Sequence, residues 1–212
     1  MGVGTVTGND NIALGNFALE DLTSGQINIA IGSGSLTNAT NNIGNVAIGH
    51  EAMGDSVDDG DYNVAIGYKA MFDGDTSGDY NVGIGYKALS VITDGTQNIG
   101  LGMQSLAGLT VGTHNIGFGY AAGGSGTLTG DYNINIGSYA GYKITDGNRN
   151  TLIGYSAGLE LLVGDFNIAL GEKALSSAAG ADIQANIAIG KHSMQDGVVT
   201  GNSNIGLGTK TL

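Results

Sequence analysis

The sequence predicts an all-β fold, a parallel β-solenoid of twelve short coils. Three observations predict it. One five-residue motif recurs twelve times at nearly constant spacing, glycine falls at fixed places within each copy, and apolar and small residues alternate between those glycines. Taken together they describe a coil too short for a helical repeat and too regular for a globular chain.

The recurring motif is Asn-aliphatic-small-aliphatic-Gly. Its asparagines are Asn11, Asn28, Asn45, Asn63, Asn81, Asn98, Asn115, Asn133, Asn150, Asn167, Asn186 and Asn204, spaced 17 to 19 residues apart. No segment lies outside the array, so residues 1–212 are read as one repeat domain. One residue after the Asn, Ile or Val occupies eleven of the twelve copies, with Thr151 the exception. Three residues after it the residue is always large and apolar, from Leu14 to Leu207. The position between is Ala or Gly except at Asn135 and Leu152. This alternation has period 2, which is a strand with two unlike faces. The large residues, Ile66 among them, are expected to point inward, and the Ala/Gly column toward another closely approaching backbone.

Gly follows the Asn by four residues in all twelve copies and precedes it by three in ten. An unvarying Gly marks a backbone angle that a Cβ would forbid. A small residue followed by Leu or Met comes seven and eight residues after the Asn, as in Ala70-Met71, although Gly123, Gly141 and Gly158 replace the large residue in successive copies. A further apolar column six residues before the Asn, including Leu22, Ile92, Leu109, Ile144 and Leu161, predicts a second short strand on the return path. Coils of this kind stack at about 4.8 Å each, giving a rod about 55 Å long. The asparagines then form a ladder, each amide bonding the next.

Composition narrows the function. Of 212 residues, 40 are Gly and none is Pro, Cys or Trp, so neither collagen nor a disulfide scaffold nor a thiolate metal site fits. The net charge is −12 with seven basic residues, which excludes the positive stripe of a nucleic-acid-binding protein and disfavours an anionic membrane surface. No apolar run is long enough to span a bilayer, and Met1-Gly2-Val3-Gly4 does not open a signal peptide. Catalysis is not expected, because His50, His114 and His192 sit in widely separated copies and Gly-x-Gly matches occur by chance in so glycine-rich a chain.

Three residue sets are candidates for binding. Asp58, Asp59, Asp61 and Asp75 cluster at corners and suit calcium, which takes several oxygens; the alternative is turn chemistry beside Gly. Tyr68, Tyr86, Tyr120 and Tyr155 follow the motif Gly and suit contact with glycan rings; the alternative is stacking on one another. Thr23, Thr40, Thr76, Thr93, Thr110 and Thr145 form an interrupted row, five residues before the Asn, of the kind an ice-binding plane would need.

The strings Asn45-Val-Ala-Ile-Gly-His-Glu-Ala52 and Asn63-Val-Ala-Ile-Gly-Tyr-Lys-Ala70 resemble the head repeats of YadA-like trimeric autotransporter adhesins and, in a longer form, repeats of bacteriophage tail-fibre proteins. The resemblance covers essentially the whole chain. It implies a β-roll that forms a parallel homotrimer and contacts a cell surface. The 17- to 19-residue period exceeds the adhesin repeat, and the chain has no heptad stalk, membrane anchor or chaperone-type terminal domain. The expectation is therefore the shaft or head of a virion fibre, joined to other fibre proteins at its ends and presenting a surface to a host glycan or protein. A secreted bacterial adhesin head and an ice-binding solenoid are the alternatives.

Overall fold

The computed structural model describes residues 7–55, 60–124, 126–177, 183–195 and 201–211. Twelve three-residue strands follow in order: β1 (Ile12–Leu14), β2 (Ile29–Ile31), β3 (Val46–Ile48), β4 (Val64–Ile66), β5 (Val82–Ile84), β6 (Ile99–Leu101), β7 (Ile116–Phe118), β8 (Ile134–Ile136), β9 (Thr151–Ile153), β10 (Ile168–Leu170), β11 (Ile187–Ile189) and β12 (Ile205–Leu207). They form a single parallel sheet in sequence order, β1 to β12. Every motif position pairs with its counterpart one coil on, as Val64 with Val82 and Ala65 with Gly83. The chain is thus a β-solenoid of about eleven turns.

The polarity of that sheet reverses the expectation for its two faces. The small column is buried: Ala30, Ala47, Ala65, Ala169 and Ala188 are all 0% exposed. The large aliphatic residues on either side, such as Val64 and Ile66, point outward and are only half-buried. The reason is the narrowness of the interior. A Cβ added to Gly83 would meet the Met71 side chain at 3.1 Å and the Ala88 carbonyl at 3.3 Å. The coil already fills its inside with Ala70-Met71, Ala88-Leu89 and the column through Ile92 and Leu109, so only a small residue fits beneath the sheet.

The exceptions obey the same volume rule. Where Gly123, Gly141 and Gly158 replace the large interior residue, the neighbouring sheet positions hold Asn135 and Leu152, both fully buried. A Cβ on Gly158 would lie 2.7 Å from a Leu152 methyl. Bulk has moved from one wall of the coil to the other.

The return path is built of turns and isolated bridges, Gln26 with Ile43, Leu109 with Leu128 and Asp165 with Gln184, in place of the expected second strand. Left-handed backbone recurs at fixed places in each coil. In the coil of Asn81, Tyr80, Lys87 and Leu89 have φ near 59°, 52° and 52°, and Gly85 has φ 134°. Residues of this hand curl the chain tightly, while their N–H groups still bond coil to coil, as Tyr80 N to Asp61 O at 3.1 Å and Leu89 N to Ser105 O at 3.0 Å. Gly85 is fixed twice over, since its Cβ would also lie 2.5 Å from the Gly102 carbonyl oxygen of the next coil.

Two side-chain ladders tie the coils together. Each motif Asn oxygen accepts the backbone N–H of the next Asn, as Asn115 Oδ1 from Asn133 N at 2.9 Å. Its Nδ2 donates to a corner carbonyl of that same next coil, as Asn115 to Gly130 at 2.8 Å. Direct amide-to-amide bonds run alongside, as from Asn133 Nδ2 to Asn115 Oδ1 at 3.1 Å. The second ladder lies two residues earlier. There Asp61, Asp79, Asp131, Asn148 and Asp165 accept N–H groups of the preceding coil, Asp79 from Asp61 N at 2.8 Å and Asp165 from Asn148 N at 2.7 Å.

Candidate functional site

The outward positions of the motif strand form a face four columns wide. Ile or Val one residue after the Asn and Ile, Leu or Phe three after it make the centre. The residue before the Asn and the residue after the Gly make the edges. The edge before the Asn carries stacked rings: Tyr62 on Tyr80 at 5.3 Å, His114 on Tyr132 at 4.6 Å, and Arg149 with its guanidinium 5.4 Å from both Tyr132 and Phe166. The opposite edge carries His50, Tyr68 and Tyr86, stacked at 5.4 Å per step. Only Asp10, Arg149, Glu172 and Lys191 in these four columns are Asp, Glu, Lys or Arg.

This face is large for a single chain. Twelve coils of about 4.8 Å and a width of about 20 Å give about 1,100 Å2. Near the middle of the rod Ile84 is 38% exposed and Phe118 56%.

A second feature breaks the regularity around β7 to β9. Tyr139 stands edge-on to Tyr120 at 5.0 Å, Tyr142 at 5.3 Å and Tyr155 at 6.3 Å. A hydrogen bond with Tyr120, then burial, then the neighbouring phenols hold the Tyr139 hydroxyl above its usual pKa. Tyr142 divides two clefts. One, of about 410 Å3, is lined by Gln104, Tyr120, Gly124, Gly126, Thr127 and Tyr142 among others. The other, of about 390 Å3, includes Tyr139, Lys143, Tyr155, Ser156 and Glu160. Lys143 Nζ and Glu160 Oε2 pair at 2.6 Å on its wall.

The sequence candidates therefore separate. All four candidate tyrosines stand in the edge column that follows the motif Gly; Tyr68 and Tyr86 stack on each other there, whereas Tyr120 and Tyr155 stand edge-on to Tyr139. Tyr139 and Tyr142 were missed. Their columns are mixed in the other copies, with Phe17 and Phe72 the other Phe or Tyr residues, and the signal for them was the local run of Gly123, Gly141 and Gly158. Asp58 and Asp59 lie outside the described residues. The Asp61 carboxylate accepts the Ile43 N–H at 2.7 Å, and Asp75 is exposed at a corner. Among the described residues no three His, Asp or Glu side chains group as a metal site would need. Thr76 is buried, and Thr23, Thr93, Thr110 and Thr145 donate to carbonyls of the next coil, so the Thr row serves the stack. The three histidines remain in separate coils, two of them stacked on tyrosines. No helix among the described residues is long and apolar enough to cross a membrane.

Compared with protein-family models, with curated proteins and with solved structures, the chain matches none.

Proposed function

We propose that this chain is a structural attachment protein, the shaft or head of an extracellular or virion fibre, assembled as a parallel homotrimer that presents its walls to a cell surface. The outward apolar face carries this reading. The whole face, apolar at its centre and mixed at its edges, covers about 1,100 Å2, which is of the order a stable interface buries per partner, about 800 Å2. It runs the full length of the rod, so a partner of equal length and equal rise covers it best, and a second copy of the chain is such a partner. With a net charge of −12, two chains repel wherever their acidic walls approach, and the nearly uncharged face is where they meet at least cost. Rows of identical coils in three chains then turn weak surface contacts into avidity. The strands that end the sheet, β1 and β12, are the places where other fibre proteins would continue the rod.

Light scattering tests the assembly. The expected mass is three times the chain mass of 21.2 kDa. A monomer at all concentrations overturns the reading. Ile66→Asp places a carboxylate on the outward face, and it is expected to give a folded protein with unchanged β spectra that no longer trimerises.

A further inference from the structure

The coils around β7 to β9 depart from the repeat in three ways at once. The large interior residue is lost at Gly123, Gly141 and Gly158, bulk crosses to the sheet at Asn135 and Leu152, and tyrosines appear at 139 and 142 on the wall beside the apolar face. The same wall holds a cleft of about 440 Å3 beside Phe17 and Phe72, but around β7 to β9 the tyrosines coincide with the lost interior residue, and such a local breach of the chain's own rules is where a site is expected. Each cleft beside Tyr142 falls in the range of small-molecule sites, about 300–1,000 Å3. The cleft-lining side chains that point to a ligand are of two kinds. Phenol rings supply apolar surface, while Gln104, Thr127, Ser156 and the tyrosine hydroxyls both donate and accept. Lys143 and Glu160 add a charged donor and a charged acceptor side by side.

We propose that this tyrosine corner binds a short neutral oligosaccharide along the rod, with one subsite on each side of Tyr142. A pyranose offers what the walls ask for, an apolar ring face bordered by hydroxyls that donate and accept. A proline-rich peptide offers carbonyl acceptors and few donors, and leaves half of the wall's acceptors unused. An anionic sugar meets no cation in the larger cleft, a Lys143 already paired in the smaller, and a chain of net charge −12. Tyr139, Tyr142, Lys143 and Glu160 lie on the wall that follows the apolar face, whereas Tyr120 and Tyr155 stand in that face's edge column, so the site sits at the corner between face and wall. This inference gives the attachment reading a ligand and rests on it only for its biological setting.

The test is titration of the full chain with soluble gluco-, manno- and chito-oligosaccharides of one to four units, followed by saturation-transfer NMR. Affinity is expected to rise with length as both subsites fill. Tyr142→Ala is expected to lose at least tenfold for the tetrasaccharide, and Tyr86→Ala, on the stacked edge, to lose nothing. Retention on amylose, cellulose, mannan or chitin beads, set beside those titrations, separates a surface polysaccharide from a free oligosaccharide as the source. The inference is overturned if no saccharide binds, if Tyr142→Ala binds as the parent does, or if sialyllactose or a polyproline peptide binds more tightly than every neutral sugar. Light scattering and β-sheet spectra of the same samples report assembly and folding separately, so a trimer that ignores sugar sinks this site and leaves the fibre standing.

Discussion

A motif asparagine does three jobs with one amide. Asn115 accepts from Asn133 N, donates to the Gly130 carbonyl and donates to Asn98 Oδ1 at 3.2 Å, all without exposed surface. Alanine there strands a buried N–H and a buried C=O. Each costs about 1–3 kcal/mol, so Asn115→Ala is expected to lose about 2–6 kcal/mol in denaturant unfolding. The exposed Asn16→Ala serves as its control and should stay within about 0.5 kcal/mol. The Asn column and its spacing were plain in the sequence, because an amide needed at every coil leaves no room for variation. The acceptor column through Asp61, Asp79, Asp131 and Asp165 was less plain. Carboxylates beside glycine read equally as turn formers or cation ligands, and only the register between coils assigns them to N–H groups.

At the scale of the coil, backbone hand explains a pattern that hydrophobicity leaves unexplained. The interior column through Leu19, Met53, Met71, Leu89 and Leu106 holds Leu, Met, Gly and never Ile or Val. Those five residues have φ between 50° and 53°, where a β-branched side chain clashes with its own backbone. Leu89→Ile keeps volume and polarity yet is expected to cost about 1–3 kcal/mol. Leu109→Ile, equally buried but outside the left-handed positions, is expected to cost less than about 1.5 kcal/mol, and parallel thermal melts of the two compare them. The alternation of large and small residues was legible as a strand with unlike faces. Which face was inside was not, because that depends on how much of the interior Met71 and Ala88 have already taken. The second strand expected through Ile92 and Leu109 is replaced by turns and isolated bridges such as Leu109 with Leu128.

Across the whole molecule, stability adds coil by coil, each touching only its neighbours. Buried apolar residues divide into two clusters, one from Ala18 to Ile144 and one from Ala140 to Met194. Asn135 sits where they meet, fully buried, with neither Oδ1 nor Nδ2 hydrogen-bonded. The rod is expected to open first at this seam, seen as an early boundary in hydrogen exchange between β7 and β9. Leu152, one coil on, already shows that leucine fits against glycine there. Asn135→Leu is expected to raise stability by about 1–3 kcal/mol and to erase the boundary. Lower stability that leaves the boundary in place would show the amide to be satisfied in solution. The seam lies under the tyrosine corner, and it too was marked in the sequence only as a lapse in a column.

The backbone bonds of this molecule run along its axis, coil to coil, as Val82 N to Asn98 O and Gly85 N to Ile66 O, both 2.8 Å. A pull on the two ends of one chain therefore loads those bonds one layer at a time and peels the outermost coil first. Each detached coil frees about 60 Å of thread. A single rod is for that reason a soft ratchet under tension, and lateral partners that grip its apolar face are what would make it a cable.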